Sequence, residues 1–176
     1  MRKRIYKKTT WNKQPKKTSD PLVRALEKPT WDIFSLDIRL RDCDEDGNGF
    51  CATCGKPLWW FHADAGHYEN RACKAIKYDR YNVNLQCKYD NGLREGMKDR
   101  YANFIERKYG VEKRRELNMK AKLPHKFTTG ELMAIFNTSY RNVRDSKFPE
   151  AQKKIKKILA DYAKCGGIIN EGLSIK

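Results

Sequence analysis

Two short cysteine motifs carry the clearest chemistry in this chain. Cys51-Ala-Thr-Cys54, followed by Gly55, makes a tight turn in which two thiolates can face one ion. Cys87-Lys-Tyr-Asp90 stands 33 residues after Cys54 and repeats the spacing with a carboxylate in the last place. Three thiolates and one carboxylate can close a tetrahedron around zinc. Such a zinc would be structural, because four protein ligands leave no open position for a reacting water. Cys73 and Cys43 are substitute ligands, and a cluster of free thiols is the competing reading.

Between the two halves lies Asp64-Ala-Gly-His67-Tyr68, then Asn82-Val-Asn-Leu-Gln-Cys87-Lys-Tyr-Asp-Asn91. A His after the first Cys pair, an Asn five residues before the third ligand and an Asn just after the fourth resemble the HNH, or ββα-metal, nuclease motif. One family then fits more closely. Ile38-Arg-Leu-Arg-Asp42, Cys51-x-x-Cys54-Gly55, Asp64-Ala-Gly-His67-Tyr68 with Arg71, Asn82 with Gln86-Cys87, and Tyr101 ahead of Tyr109-Gly110 resemble the NinG (Rap) recombination proteins of lambdoid phages. The resemblance covers residues 31–110. Asp90 replaces the family's usual second Cys, and Met97 stands where a Gly-Asn pair is common.

The resemblance implies a metal-dependent, structure-selective endonuclease acting on branched recombination intermediates such as Holliday junctions and D-loops. In that scheme His67 is the general base and Asn82 holds the hairpin loop that carries it. Asn91, at the head of the following helix, ligates a catalytic magnesium or manganese ion. Asp64 is the candidate carboxylate on the same ion, since Gly66 occupies the position directly before the His where many such sites place the acid. His62 is a further candidate ligand. Arg71, Lys74 and Lys77 follow the His and are expected to contact phosphates.

The elements that must position these groups are partly legible. Residues 1–30 contain Pro15, Pro21 and Pro29 with little apolar periodicity and are expected to form a flexible basic arm. Trp31, Ile33, Phe34, Leu36, Ile38 and Leu40 predict a short amphipathic helix leading into the polar loop Asp42-Cys-Asp-Glu-Asp-Gly-Asn-Gly. That loop imitates the opening of a calcium-binding loop, but Thr53 falls where a bidentate Glu is required, so it reads instead as a turn into the Cys pair. Trp59, Trp60 and Phe61 read as packing groups, and Asn84 as a turn or cap residue.

Tyr101, Phe104, Ile105 and Tyr109 predict a core-facing helix over 99–109 that stops at Gly110. Thr128-Thr-Gly-Glu131 has capping-box spacing, and Ala151, Ile155, Ile158, Leu159 and Tyr162 form an apolar stripe. The expected fold is α+β: a zinc-stapled ββα-metal core at 31–110, the basic arm at 1–30, and a basic helical region at 111–176.

Charge supports a polyanionic partner. Residues 1–30 hold ten Lys or Arg against two acids, and residues 111–176 hold fifteen against seven, while 31–110 hold thirteen of each. The whole formal net charge of +16 therefore lies in the flanks, where it would bind DNA by counterion release. No apolar run approaches the roughly 20 residues needed to span a bilayer, which excludes a membrane protein. The basic start is followed by no apolar stretch and does not read as a secretory signal, so a reducing, cytoplasmic location is expected. Two symmetric cuts across a junction would suit a homodimer, although no residue demands one. The alternatives are a sequence-specific homing or restriction-type HNH endonuclease and a zinc-knuckle DNA-binding protein that has lost catalysis.

Overall fold

Asp20 opens the first helix. In the computed structural model, which describes residues 20–169, its carboxylate accepts from the Leu22 N–H at 2.9 Å and caps helix α1 (Pro21–Arg41). Pro21 takes the first helical position, where its missing N–H is no loss. The expectation of a flexible arm reaching residue 30 is therefore corrected for residues 20–30. Leu22, Val23 and Leu26 pack into the main core, and their burial outweighs the one hydrogen bond that Pro29, inside the helix, cannot donate. Residues 1–19 of the expected arm lie outside the described residues.

After α1 the chain makes two small antiparallel sheets. Strands β1 (Asn48–Phe50) and β2 (Pro57–Trp59) form a hairpin around the first Cys pair. Strands β3 (Asp64–His67) and β4 (Val83–Gln86) pair so that Asp64 opposes Gln86 and His67 opposes Val83. A wide helical turn, Tyr89–Leu93, then leads to α2 (Lys98–Tyr109). Gly110 ends α2 at φ 91°, a conformation a side chain would resist. Helix α3 (Val111–Lys120) packs back on α2, and α4 (Thr129–Val143) and α5 (Pro149–Lys164) complete the described chain. The mixture of helices with small sheets agrees with the α+β expectation.

The capping box appears as its spacing predicts. Thr128 accepts from the Glu131 N–H at 3.2 Å, and the Glu131 carboxylate accepts from the Thr128 N–H at 2.7 Å. The stripe on α5 is wholly buried. It joins Leu26, Ile33 and Leu36 of α1, Phe136 and Tyr140 of α4, and Trp60 in one core, so the C-terminal helices share their apolar interior with α1. Trp60 is fully buried, in accord with a packing role.

Asn84 departs from its expected place as a turn residue. It is buried in β4, where its side-chain oxygen accepts from the Tyr109 hydroxyl at 2.6 Å and from Arg41 at 3.1 Å. Its backbone N–H donates to the Tyr101 hydroxyl at 2.9 Å. One amide thus ties β4 to both α1 and α2. Asp42 is likewise consumed, accepting from Arg41, Lys108 and the Leu85 N–H. This leaves the loop after it a turn, in which Asp44 accepts from the Asp46 and Asn48 N–H groups.

Candidate active site and metal centre

The two cysteine motifs meet. The ligating atoms of Cys51, Cys54, Cys87 and Asp90 all lie within 4.8 Å of one another, forming a cluster that could hold a metal ion. Cys51 and Cys54 come from the turn after β1, and Cys87 and Asp90 from the end of β4 and the turn beyond it. The Cys54 and Cys87 sulfurs are 3.9 Å apart, and the Cys51 sulfur is 3.8 Å from an Asp90 oxygen. Tetrahedral zinc with Zn–S bonds of about 2.3 Å separates two sulfurs by about 3.8 Å. The donor set fits a closed structural ion. Buried Asp90 also accepts from the Thr53 hydroxyl at 2.7 Å, and the Cys87 N–H donates to the Cys51 sulfur at 3.3 Å. Burial works against the Cys51 thiolate, yet the Thr53 hydroxyl and nearby backbone N–H groups outweigh it and lower its pKa. Neither Cys43 nor Cys73 belongs to the cluster.

A cleft of about 810 Å³ opens beside β3. Asp64, His67, Arg71 and Asn91 all line it. Asn91 lies in the wide turn before α2 rather than at the head of that helix, and its amide N–H donates to Asp64 at 2.9 Å. Among the described residues the second Asp64 oxygen and the Asn91 amide oxygen have no such partner, and both are hard ligands of the kind a divalent ion prefers. Gly66 explains why the acid is at 64: a Cβ at Gly66 would collide with the Gln86 amide. The Gly66 carbonyl in turn accepts from the Tyr101 hydroxyl at 2.7 Å.

His67 is held on two sides. Its ring stacks on Trp31 of α1, with centroids 5.0 Å apart and planes at 20°. Its Nε2 lies 2.9 Å from the Lys77 carbonyl. A carbonyl can only accept, so Nε2 carries the proton and Nδ1 keeps a lone pair. Burial, with the Arg71 and Lys77 charges adding to it, pushes the His67 pKa down to about 4 despite the opposing bond to Lys77. A histidine-selective NMR titration is expected to show one imidazole, absent from His67→Gln, that stays neutral as the Nε2-protonated tautomer until pH falls to about 4. A His67 midpoint near 6.5 would contradict this environment.

Asn82 is fully buried and clamps the loop between β3 and β4. Its amide donates to the Glu69 carbonyl at 3.0 Å and the Ile76 carbonyl at 3.1 Å, and its oxygen accepts from the Glu69 N–H at 2.8 Å. Ile76 immediately precedes Lys77, whose carbonyl orients His67. The contact between Asn82 and the His therefore runs through backbone.

Other expected site residues fall elsewhere. Lys74 and Lys77 do not line the cleft; both pair with Glu27 of α1, at 2.6 and 3.1 Å. They share that one carboxylate, so Glu27 offsets one of their two positive charges and draws both side chains toward α1. His62 is exposed, packs against Trp59 and Phe61, and does not line the cleft. Trp31 and Glu27 escaped the sequence reading. Trp31 belongs to an apolar stripe that announces only a helix, and no pattern in the sequence marks Glu27.

No helix among the described residues is long and apolar enough to cross a membrane. Neither curated proteins nor solved structures include a match to this chain. A protein family does match, over residues 1–149, well beyond the block that carries the motifs, and its description is Bacteriophage Lambda NinG protein. The chain belongs to the bacteriophage lambda NinG family.

Proposed function

We propose that this protein is a metal-dependent DNA endonuclease of the HNH type, selective for branched intermediates such as Holliday junctions and D-loops in phage recombination. The observation that carries the reading is the single cleft in which Asp64, Asn91 and a His67 with its Nδ1 lone pair free lie together, braced by the Cys51–Cys54–Cys87–Asp90 cluster. Two antiparallel strands, a wide turn and α2 carry these groups in the order that a ββα-metal core requires. The cluster holds zinc, which fastens the turn bearing Asn91 to the β1–β2 hairpin.

Phosphodiester hydrolysis needs a base for water and a cation for the charge on the phosphorane and the leaving 3′ oxygen. Asp64 and Asn91 would hold a magnesium or manganese ion, which would supply that cation. His67 takes the proton of the attacking water on Nδ1 while the Lys77 carbonyl keeps the ring from turning. The negative phosphodiester, once beside the imidazole, raises its low pKa toward the range useful for a base. Arg71, exposed on the cleft, binds the scissile phosphate or its neighbour. The flanking basic segments supply affinity that does not depend on sequence.

The test compares a labelled four-way junction with linear duplex of the same sequence, in magnesium, manganese or EDTA. Junction-selective cutting that stops in EDTA is the expected result. Cutting of linear duplex at one sequence would replace this reading with a homing or restriction-type activity. Binding without turnover in any metal would leave a DNA-binding protein with an unused site.

A further inference from the structure

Helix α1 separates the cleft from a second concavity, and Ser35 lines both. This second groove, about 230 Å³, runs between α1 and α5. Lys28, Asp32, Arg39, Lys154, Lys157 and Asp161 supply its charged walls. Its acids are partly engaged elsewhere: Lys28 pairs with Asp32, whose charge also reaches Arg39, and Asp161 lies 4.0 Å from Lys164.

Arg39 and Lys154 converge on one indole. The Arg39 guanidinium is 5.7 Å and the Lys154 ammonium 5.5 Å from the centroid of buried Trp60, and Lys154 is also 4.2 Å from that of Phe61. Arg39 spends its hydrogen bonds on the Ser35 and Trp60 carbonyls, at 3.1 and 3.4 Å. Lys88, in the metal-binding turn, is exposed and close enough to act on Lys154. Burial, then Arg39 and Lys88, lower the Lys154 pKa. Among the described residues none of these three cations makes an ion pair, whereas Lys74, Lys77, Lys98 and Lys108 all do. Like charges drawn together from three segments repel one another, and a polyanion relieves that repulsion. Ser35, whose carbonyl accepts from Arg39, lines both concavities, so the cluster borders the cleft itself.

We propose that Arg39, Lys88 and Lys154 form a second backbone-phosphate subsite, which receives the DNA strand as it leaves the His67 cleft across Ser35. The subsite deepens the nuclease reading and rests on it for the identity of the ligand. It also gives α5, which lies beyond the residues matched to the family, a direct part in binding. The aromatic faces of Trp60 and Phe61 hold the cations in place before the anion arrives.

Fluorescence anisotropy of a labelled four-way junction, with no magnesium or manganese added and no chelator, across a range of salt concentrations, tests the subsite. Lys154→Gln is expected to weaken binding about three- to tenfold at 0.1 M salt and to reduce the slope of log K against log salt by about 0.9. Adding Lys88→Gln should remove about as much again, and Lys154→Arg should restore both affinity and slope. Lys156→Gln, exposed on the same helix outside the groove, should change neither. A wild-type slope in Lys154→Gln, whether or not its affinity falls, overturns the subsite while DNA binding by the wild type keeps the nuclease reading alive. A wild type that binds neither junction nor duplex fails at the earlier step, and both readings fall.

Discussion

Substitution of His67 by Ala is expected to slow junction cleavage by two to four orders of magnitude while the affinity for the same junction, measured with no magnesium or manganese added, stays within about threefold. That loss corresponds to about 3 to 5 kcal/mol of transition-state stabilisation. The reason is local. Nε2 carries the proton donated to the Lys77 carbonyl, so Nδ1 holds the ring's available lone pair, and among the described residues no donor meets it while the ring lies against Trp31. Truncation removes the proton acceptor without touching the metal cluster or the Asp64–Asn91 pair. His67→Gln keeps most of the volume against Trp31 and provides the control for packing: it should be as inactive as His67→Ala and melt close to wild type. Cleavage at the wild-type rate in either variant would remove His67 from the chemistry.

The second large effect concerns the metal. A Cys87→Ser variant is expected to lose stoichiometric zinc and to unfold about 10 °C below the wild type, a loss of about 3 to 4 kcal/mol for a chain of this length. Each strand of the β1–β2 hairpin is three residues long and cannot persist by its own hydrogen bonds. Its connection to β4 runs through the Cys51 sulfur, which accepts from the Cys87 N–H, and through the Ala52 N–H donated to the Leu85 carbonyl. Most helical signal should survive, because α1, α4 and α5 close their own core around Leu26, Phe136 and Tyr162. Cleavage should not, because Asn91 follows Asp90 directly and loses its anchor. Asp90→Cys gives the opposite sign: a fourth thiolate should hold zinc more tightly in competition with a chelator. Metal content and melting temperature both unchanged in Cys87→Ser would mean that the four residues do not share an ion.

The four residues of the metal cluster were readable from spacing, since the two halves repeat one another and the structure brings their ligating atoms within 4.8 Å. The tertiary arrangement decided which neighbours those residues keep. Lys74 and Lys77 look free in a linear chain, but α1 brings Glu27 to them from about fifty positions away. Asn84 looks like a turn residue until β4 buries it between Arg41 and Tyr109.

Proline marked residues 21–30 as irregular, and burial of Leu22, Val23 and Leu26 against the C-terminal helices made them a helix. Local patterns of charge, cap and ligand spacing act over a few residues and therefore survive in the sequence. The tautomer of His67, the pairing of Asp64 with Asn91 and the cationic groove beyond Ser35 depend on contacts between segments distant in the chain. Only the packing of α1 against β3 and α5 produces them.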